Sequence, residues 1–387
     1  MKFRLLTLFI LISIAPILGQ NRTNDSLYQL LEKSEDPSER VAIQCKIAQG
    51  YTEIGDYKKA GEIADIALKQ AIELRDHKGE GLAYYTLARL NQYMRDWDNA
   101  LLYHYQAIQL FDEANAIEEL AWSYLNMGIA FVAKKEYDRA IRYCNKALEA
   151  FKKINHKQGE AYSYLNLGYP LHYKGETEKA LEQLEKCKVL CEEIKDQTGV
   201  GYVHNIRGDI YFEIGELDKA LAENQACIEI RKTENNKRDF AIIYGRIAKI
   251  HLIKKELKKA EETLQLAEKA GLEIEAHLEL RNLYMTYAEL DSTKGNFKAA
   301  YDHLKASIDH GKVIVKEERE REVAAVKYSL NKEIEALQEK ETQITEAYES
   351  ELRECQQEAS KGQGNTLLYI AGGIIALLAL LLVRKRK

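Results

Sequence analysis

An all-α solenoid of seven helix-turn-helix repeats, a long coiled-coil helix and one transmembrane helix is the architecture this sequence predicts. Three observations carry it. The chain has 387 residues and only three prolines, Pro16, Pro37 and Pro170, so nearly its whole length is free to be helical. Seven alanines, Ala60, Ala100, Ala140, Ala180, Ala220, Ala260 and Ala300, stand forty residues apart with no insertion, and a fixed period of this length marks a repeat array. Both ends carry apolar runs flanked by basic residues, while the whole is 30% charged and 46% apolar, as amphipathic helices require. The net charge of −5 argues against a nucleic-acid binder held by phosphate contacts.

Residues 1–20 read as a secretory signal peptide. Lys2 and Arg4 precede an apolar run from Leu5 to Ile14, then Pro16 and the small Gly19 at a plausible cleavage point. The run is too short to span a bilayer. Residues 21–39 read as an amino-terminal capping segment, with a short helix over 26–34 covering the apolar end of the array. Asp36-Pro37-Ser38-Glu39 has the form of a helix start, aspartate as cap and proline in the first turn.

Residues 40–312 hold the seven repeats. Three residues before each alanine comes a large side chain, Tyr57, Trp97, Tyr137, Leu217, Leu257 or Phe297, with Thr177 the exception. Twelve residues before it comes a small one, Ala48, Ala88, Gly128, Gly168, Gly208, Ala248 or Ala288, and seven after it another, Ala67, Ala107, Ala147, Cys187, Cys227, Ala267 or Ser307. Large against small lets the two helices of a unit approach closely. The pattern resembles the tetratricopeptide repeat (TPR), which implies a right-handed TPR superhelix whose first helices line a concave groove. Its forty-residue spacing is longer than the usual repeat of about 34. That spacing, and the Tyr-Leu-Asn-x-Gly of copies three and four, is similar to long-helix TPRs of scaffold and signalling proteins.

In copy four, Tyr162, Asn166, Tyr169 and Tyr173 share one helix face. The equivalent face offers Trp122 and Asn126 in copy three, Tyr202 in copy five, Arg89 in copy two and Arg246 in copy six. Rings supply area and amides pair with main chain, which suits an extended peptide. In the TPR scaffolds the chain resembles, asparagines at this position contact bound peptide. Structural packing is the competing reading for each tyrosine, since the chain has 24 of them. Pro170 removes an N–H inside this helix and leaves the Asn166 carbonyl without its helical donor. The result is either a kink that exposes an acceptor in the groove or a tolerated bend. Cys187 and Cys227 occupy the small-residue packing position, so they are read as buried free thiols.

Residues 313–360 read as a coiled-coil stalk, with Val323, Leu330, Leu337 and Ile344 seven apart. Ile334, Tyr348 and Cys355 partly fill the second seam, which Lys327 and Glu341 break. Residues 361–365 form a flexible joint. Residues 366–383 are eighteen without a charge, about 27 Å of helix, close to the thickness of a hydrocarbon core. Residues 384–387, Arg-Lys-Arg-Lys, form a cytoplasmic basic tail. The chain is thus read as a single-pass membrane protein with its bulk extracytoplasmic. Heptads, together with Gly372, Ala376 and Ala379 on one face of the membrane helix, favour a parallel homodimer.

The order of segments resembles the extracytoplasmic half of bacterial membrane sensors without the kinase or regulator that follows in them. No P-loop, HExxH, GxSxG or dinucleotide loop is present, so no enzyme, no cofactor and no metal site is expected. Asp209 and Glu213 are the only carboxylates near the groove face that could serve as a titratable pair. Three readings stand: a membrane-anchored scaffold or receptor subunit that binds protein or peptide in its groove, a sensory subunit signalling to a kinase or regulator in trans, and an envelope assembly or secretion accessory.

Overall fold

The computed structural model describes residues 17–234 and 237–358. Residues 1–16 and 359–387 lie outside the description, and with them most of the expected signal segment, the joint, the membrane span and the basic tail. Among the described residues no helix is long and apolar enough to cross a membrane. They form fifteen helices and no strand.

The forty-residue ruler of the sequence is the ruler of the helices. The second, or B, helices are α3 (Tyr57–Leu74), α5 (Trp97–Glu113), α7 (Tyr137–Lys153), α9 (Thr177–Glu193), α11 (Leu217–Glu234), α13 (Leu257–Leu272) and α15 (Phe297–Glu358). The first, or A, helices are α2 (Pro37–Glu53), α4 (His77–Tyr93), α6 (Ile117–Ala133), α8 (Lys157–Tyr173), α10 (Gln197–Glu213), α12 (Lys237–Ile253) and α14 (His277–Thr293). α1 spans Ile17–Lys33, longer than the expected helix over 26–34. It starts forty residues before α3, in the register of a B helix, and its first four residues belong to the segment read as a signal peptide.

Local chemistry sets the helix boundaries. Asp36 caps α2 as expected, accepting from the Ser38 N–H at 2.9 Å with Pro37 in the first turn. Asp56, Asp76, Asp96 and Asp196 cap α3, α4, α5 and α10 in the same way, and His156 does so for α8 through Nδ1. Twelve of the described turns hold one residue in the left-handed region. Glycine fills it at Gly55, Gly175, Gly215 and Gly295, but Arg75, Arg95, Asn115, Lys135, Asn155, Lys195, Lys255 and Glu275 also adopt it.

Packing follows the small-residue columns. Six of the seven repeat alanines, Ala60 to Ala260, are buried to within 1%. The residue one turn after the alanine presses on the small residue twelve before it. A Cβ on Gly128 would lie 2.6 Å from Cys144 Sγ, and one on Gly168 3.0 Å from a Leu184 methyl. A helices also pack on the A helix of the next repeat, as in α2–α4, α6–α8, α8–α10 and α12–α14, whereas successive B helices show no comparable packing among the described residues. The A row is therefore the inner side of the curve.

The chain divides into two units, residues 1–322 and 323–387. In the first, Arg95 Nη1 in the turn after α4 lies 3.4 Å from Glu318 Oε1 on α15. In the second, Val323, Leu330, Leu337 and Ile344 are exposed on α15. The side chains of Lys327, Tyr348 and Cys355 lie outside the description.

Candidate functional site

Twenty-six residues after each repeat alanine, the middle of an A helix presents Thr86, Asn126, Asn166, Ile206, Arg246 or Thr286. Four of these fold back on their own helix. Thr86 Oγ1 donates to the Leu82 carbonyl at 2.8 Å, and Thr286 Oγ1 to that of Asn282 at 3.2 Å. Asn126 Nδ2 donates to the Trp122 carbonyl at 2.9 Å, and Asn166 Nδ2 to that of Tyr162 at 2.8 Å. A carbonyl only accepts, so this bond fixes which way each amide is turned. Nitrogen faces the backbone. Oδ1 of both residues is left without a partner among the described residues, on side chains that are half-buried on the inner face.

Asn224 on α11 shows what such an oxygen does when a donor comes within reach. Its Nδ2 donates to the Ala220 carbonyl at 2.6 Å, and its Oδ1 accepts from Arg246 Nη1 at 2.8 Å. That arginine sits in the wall of the groove: it is 8% exposed, donates again to the Asn205 carbonyl and Oδ1, each at 3.2 Å, and lies 3.2 Å from Asp209 Oδ1.

Most of the other groove residues are similarly engaged across repeats. Tyr169 Oη donates to Asp209 Oδ2 at 3.1 Å, and Tyr173 Oη to Glu213 Oε1 at 3.2 Å. Burial and these carboxylates hold both phenols well above their usual range. His172 Nε2 lies 3.1 Å from the second oxygen of Glu213. Both carboxylates considered as a titratable pair are thus engaged. Tyr162 is half-buried, its phenol raised by burial and by Asp196 opposite. Trp122 stands edge-on to Phe151 at 4.8 Å, and Arg231 lies over the Tyr202 ring at 4.2 Å.

Arg89 stands on α4, the inner-row helix before that of Asn126. The Arg89 side chain is 27% exposed, its Nη2 lies 3.9 Å from Glu53 Oε1, and it is hydrogen-bonded to Tyr93. Tyr85 bridges this region to α6, its hydroxyl accepting from Asn126 Nδ2 at 3.0 Å, while Gln92 Nε2 donates to the Asn126 carbonyl at 3.1 Å. The structure therefore leaves the amide oxygens of Asn126 on α6 and Asn166 on α8 spare among the described residues, while Arg89 on α4 is engaged by Tyr93 and Glu53. Trp122, Tyr162, Tyr169, Tyr173 and Tyr202 add half-buried rings, and Arg246 is placed in the wall.

Pro170 does not open the groove. α8 runs through it without a break, and the Asn166 carbonyl is met by Cys144 Sγ from α7 at 3.7 Å. Cys187 and Cys227 are buried and free, as are Cys45, Cys144 and Cys191. Sequence reasoning passed over Tyr85, Asn205 and Asn224. Asn224 was detectable, because its column holds leucine at 184 and 264. Among the described residues no three His, Cys, Asp or Glu side chains converge to hold a metal ion.

The MalT-like TPR region model matches residues 87–356. No curated protein sequence matches the chain. Among solved structures, a STAND signal-transduction ATPase with a TPR sensor from Pyrococcus horikoshii aligns with TM-score 0.55 and 20% identity, over 70% of this chain and 43% of that one. Aspartyl phosphate phosphatase F from Bacillus subtilis aligns with TM-score 0.54 and 15% identity, over 76% and 77%. A Rap protein complexed with competence and sporulation factor aligns with TM-score 0.51 and 13% identity, over 78% and 99%. These likenesses concern the fold.

Proposed function

The chain belongs to the MalT-like TPR region family, and from that premise we propose that it is a non-catalytic, membrane-anchored scaffold or receptor subunit whose groove binds an extended protein or peptide segment. The observation that carries the reading is the pair of outward amide oxygens on Asn126 and Asn166, one repeat apart and held by identical bonds to the carbonyl four residues back. An extended peptide offers main-chain N–H groups at regular intervals, and such oxygens are acceptors for them. Arg89 supplies a cation for an acidic residue of the same segment, and the rings of Trp122 and Tyr162 supply apolar area beside it. A Rap protein of similar fold is seen complexed with competence and sporulation factor.

A displayed library of random twelve-residue peptides, selected on the full chain in detergent, tests this reading. Selected peptides are expected to bind Asn126→Ala/Asn166→Ala at least tenfold more weakly, at unchanged helicity. Equal binding to the double variant would place the working surface elsewhere.

The membrane anchor rests on the apolar stretch over 366–383 and its basic flank, and the extracytoplasmic placement on the amino-terminal apolar run. A second copy of the chain, paired through the stalk and membrane helix, belongs to the same reading. Relay to a kinase or regulator in trans is a second reading. It draws on α15, which packs as the B helix of the seventh repeat and continues unbroken to Glu358.

A further inference from the structure

Three of the chain's nine histidines, His277, His303 and His310, stand in the seventh repeat, where the structure stacks their rings with two tyrosines. His277, Tyr284 and Tyr287 come from α14, and His303 and His310, seven residues apart on one face, from α15. Tyr287 meets His303 at 4.8 Å between ring centres, His303 meets Tyr284 at 5.9 Å, Tyr284 meets His310 at 5.5 Å, and His310 meets His277 at 5.1 Å. Earlier repeats fill the position of His310 with Leu110, Ala150, Leu190, Ile230 and Ala270. At the end of the stack His277 Nδ1 and His310 Nδ1 lie 2.9 Å apart, on half-buried side chains. That contact is a hydrogen bond only while one proton lies between the two nitrogens. With both rings neutral, one Nδ1 donates to the other, and a single added proton keeps the bond. With two, both nitrogens are donors and both rings are cations.

The carboxylates of this region are committed elsewhere. On α15, Asp309 pairs with Lys312 at 2.7 Å and has Lys305 on its other side. On α14, Glu279 is drawn to Arg238 of α12, and Asp291 holds His303 at 2.7 Å. On α13, Glu268 accepts from Tyr284 and Tyr287, while Glu273 at its end pairs with Lys237 of α12 and has Lys269 nearby. Glu275, in the turn before α14, is exposed. A cation adjoins the pair as well: a Cβ on Gly311 would lie 3.6 Å from Arg281 Cδ. Burial, and then the His277 charge, pull the His310 pKa below its ordinary 6.5 against the opposing effect of Asp309. The seat of α15 depends on this side of the helix, since Leu304 is 48% exposed where Leu184 and Leu264 in earlier repeats are 0%.

We propose that the His277–His310 pair is a pH-sensitive latch on the last helix of the array: its bond holds the amino-terminal part of α15 on α14 at neutral pH, and protonation of both rings in acid breaks it and loosens that seat. In the unfolded chain His310 takes its proton near 6.5, and in the folded chain at a lower pH. The contribution of the latch is therefore fully present above pH 6.5 and is lost as pH falls through the folded value. Of the other contacts between the two helices, the Ser307 Oγ bond to the Arg281 carbonyl involves no group that titrates in this range. The inference concerns the seventh repeat alone and is independent of what the groove holds.

Hydrogen exchange of the full chain in mild detergent at pH 7 and at about pH 4.5, corrected for the intrinsic pH dependence of exchange, tests the latch. In the wild type, protection over residues 300–316 is expected to fall at least tenfold further than protection in α8 and α9. His310→Leu, which installs the residue found at 110 and 190, and His277→Gln are each expected to cut that excess to less than twofold, because one remaining histidine cannot make a doubly charged pair. A wild type with no excess over α8 and α9 overturns the inference, and so does an excess that survives in either variant.

Discussion

At position 104 a column that holds Leu184 and Leu264 carries a histidine. His104 is fully buried, and neither ring nitrogen has a hydrogen-bond partner among the described residues. Tyr85 stands edge-on to it at 5.6 Å. Burial, with the Arg89 charge nearby, pulls its pKa down to about 3. The unfolded chain, with an ordinary histidine near 6.5, therefore binds the proton first as pH falls, so this residue contributes stability that is fully present above pH 6.5 and lost as pH drops toward 3. Between pH 7 and pH 5 the loss is about 2 kcal/mol. His104→Leu removes two unpaired polar atoms and installs the residue that two other repeats use. It is expected to stabilise by about 1–2 kcal/mol at pH 7 and to flatten the pH dependence between 7 and 5, as read from urea unfolding at both values.

At the level of helices, repeats are joined by polar contacts forty residues apart as well as by apolar packing. Arg246 on α12 ties together Asp209 and Asn205 on α10 and Asn224 on α11, with Tyr169 on α8 completing the chain through Asp209. Removing the cation leaves a largely buried carboxylate unmatched. Arg246→Ala is expected to cost about 3 kcal/mol, and Asp209→Ala in that background to recover part of it; an additive double variant in a thermodynamic cycle would show that the pair is uncoupled. Exposed ladders accompany this network. Lys134–Asp98, Lys174–Asp138 and Lys254–Asp218 repeat one contact at multiples of forty residues, from the start of an inter-helix turn to the B helix one repeat earlier. Solvent screens such pairs, so they set register more than stability.

Across the molecule, each repeat touches its immediate neighbours, so a defect at one end has a limited reach. α1 covers the amino-terminal face of α2, where a Cβ on Gly50 would lie 2.2 Å from Asn24 Oδ1, and Asn24 is buried. Gly50→Ala is therefore expected to push α1 off its seat. Hydrogen exchange should show protection falling at least tenfold in α1 and α2 while α8 and α9 are unchanged; a uniform loss along the array would instead mean that the solenoid unfolds as one body.

Sequence by itself determined the period, the helix pairs, the cap at Asp36 and the small-residue columns, because each of these depends on residues within one repeat. Tyr162, Asn166, Tyr169 and Tyr173 were legible as one helix face for the same reason: i, i+4, i+7 spacing is local geometry. Turns were only partly legible, since charged residues hold the left-handed conformation at several of them and glycine marks only Gly55, Gly175, Gly215 and Gly295 among those described. What only the tertiary structure decided is which groove atoms are spare. Tyr169, Tyr173 and Arg246 find partners on an adjacent helix of the inner row, while the oxygens of Asn126 and Asn166 find none among the described residues. A side chain's spare hydrogen-bonding capacity depends on what the curve of the solenoid brings opposite it, and that neighbour lies a full repeat away in the chain.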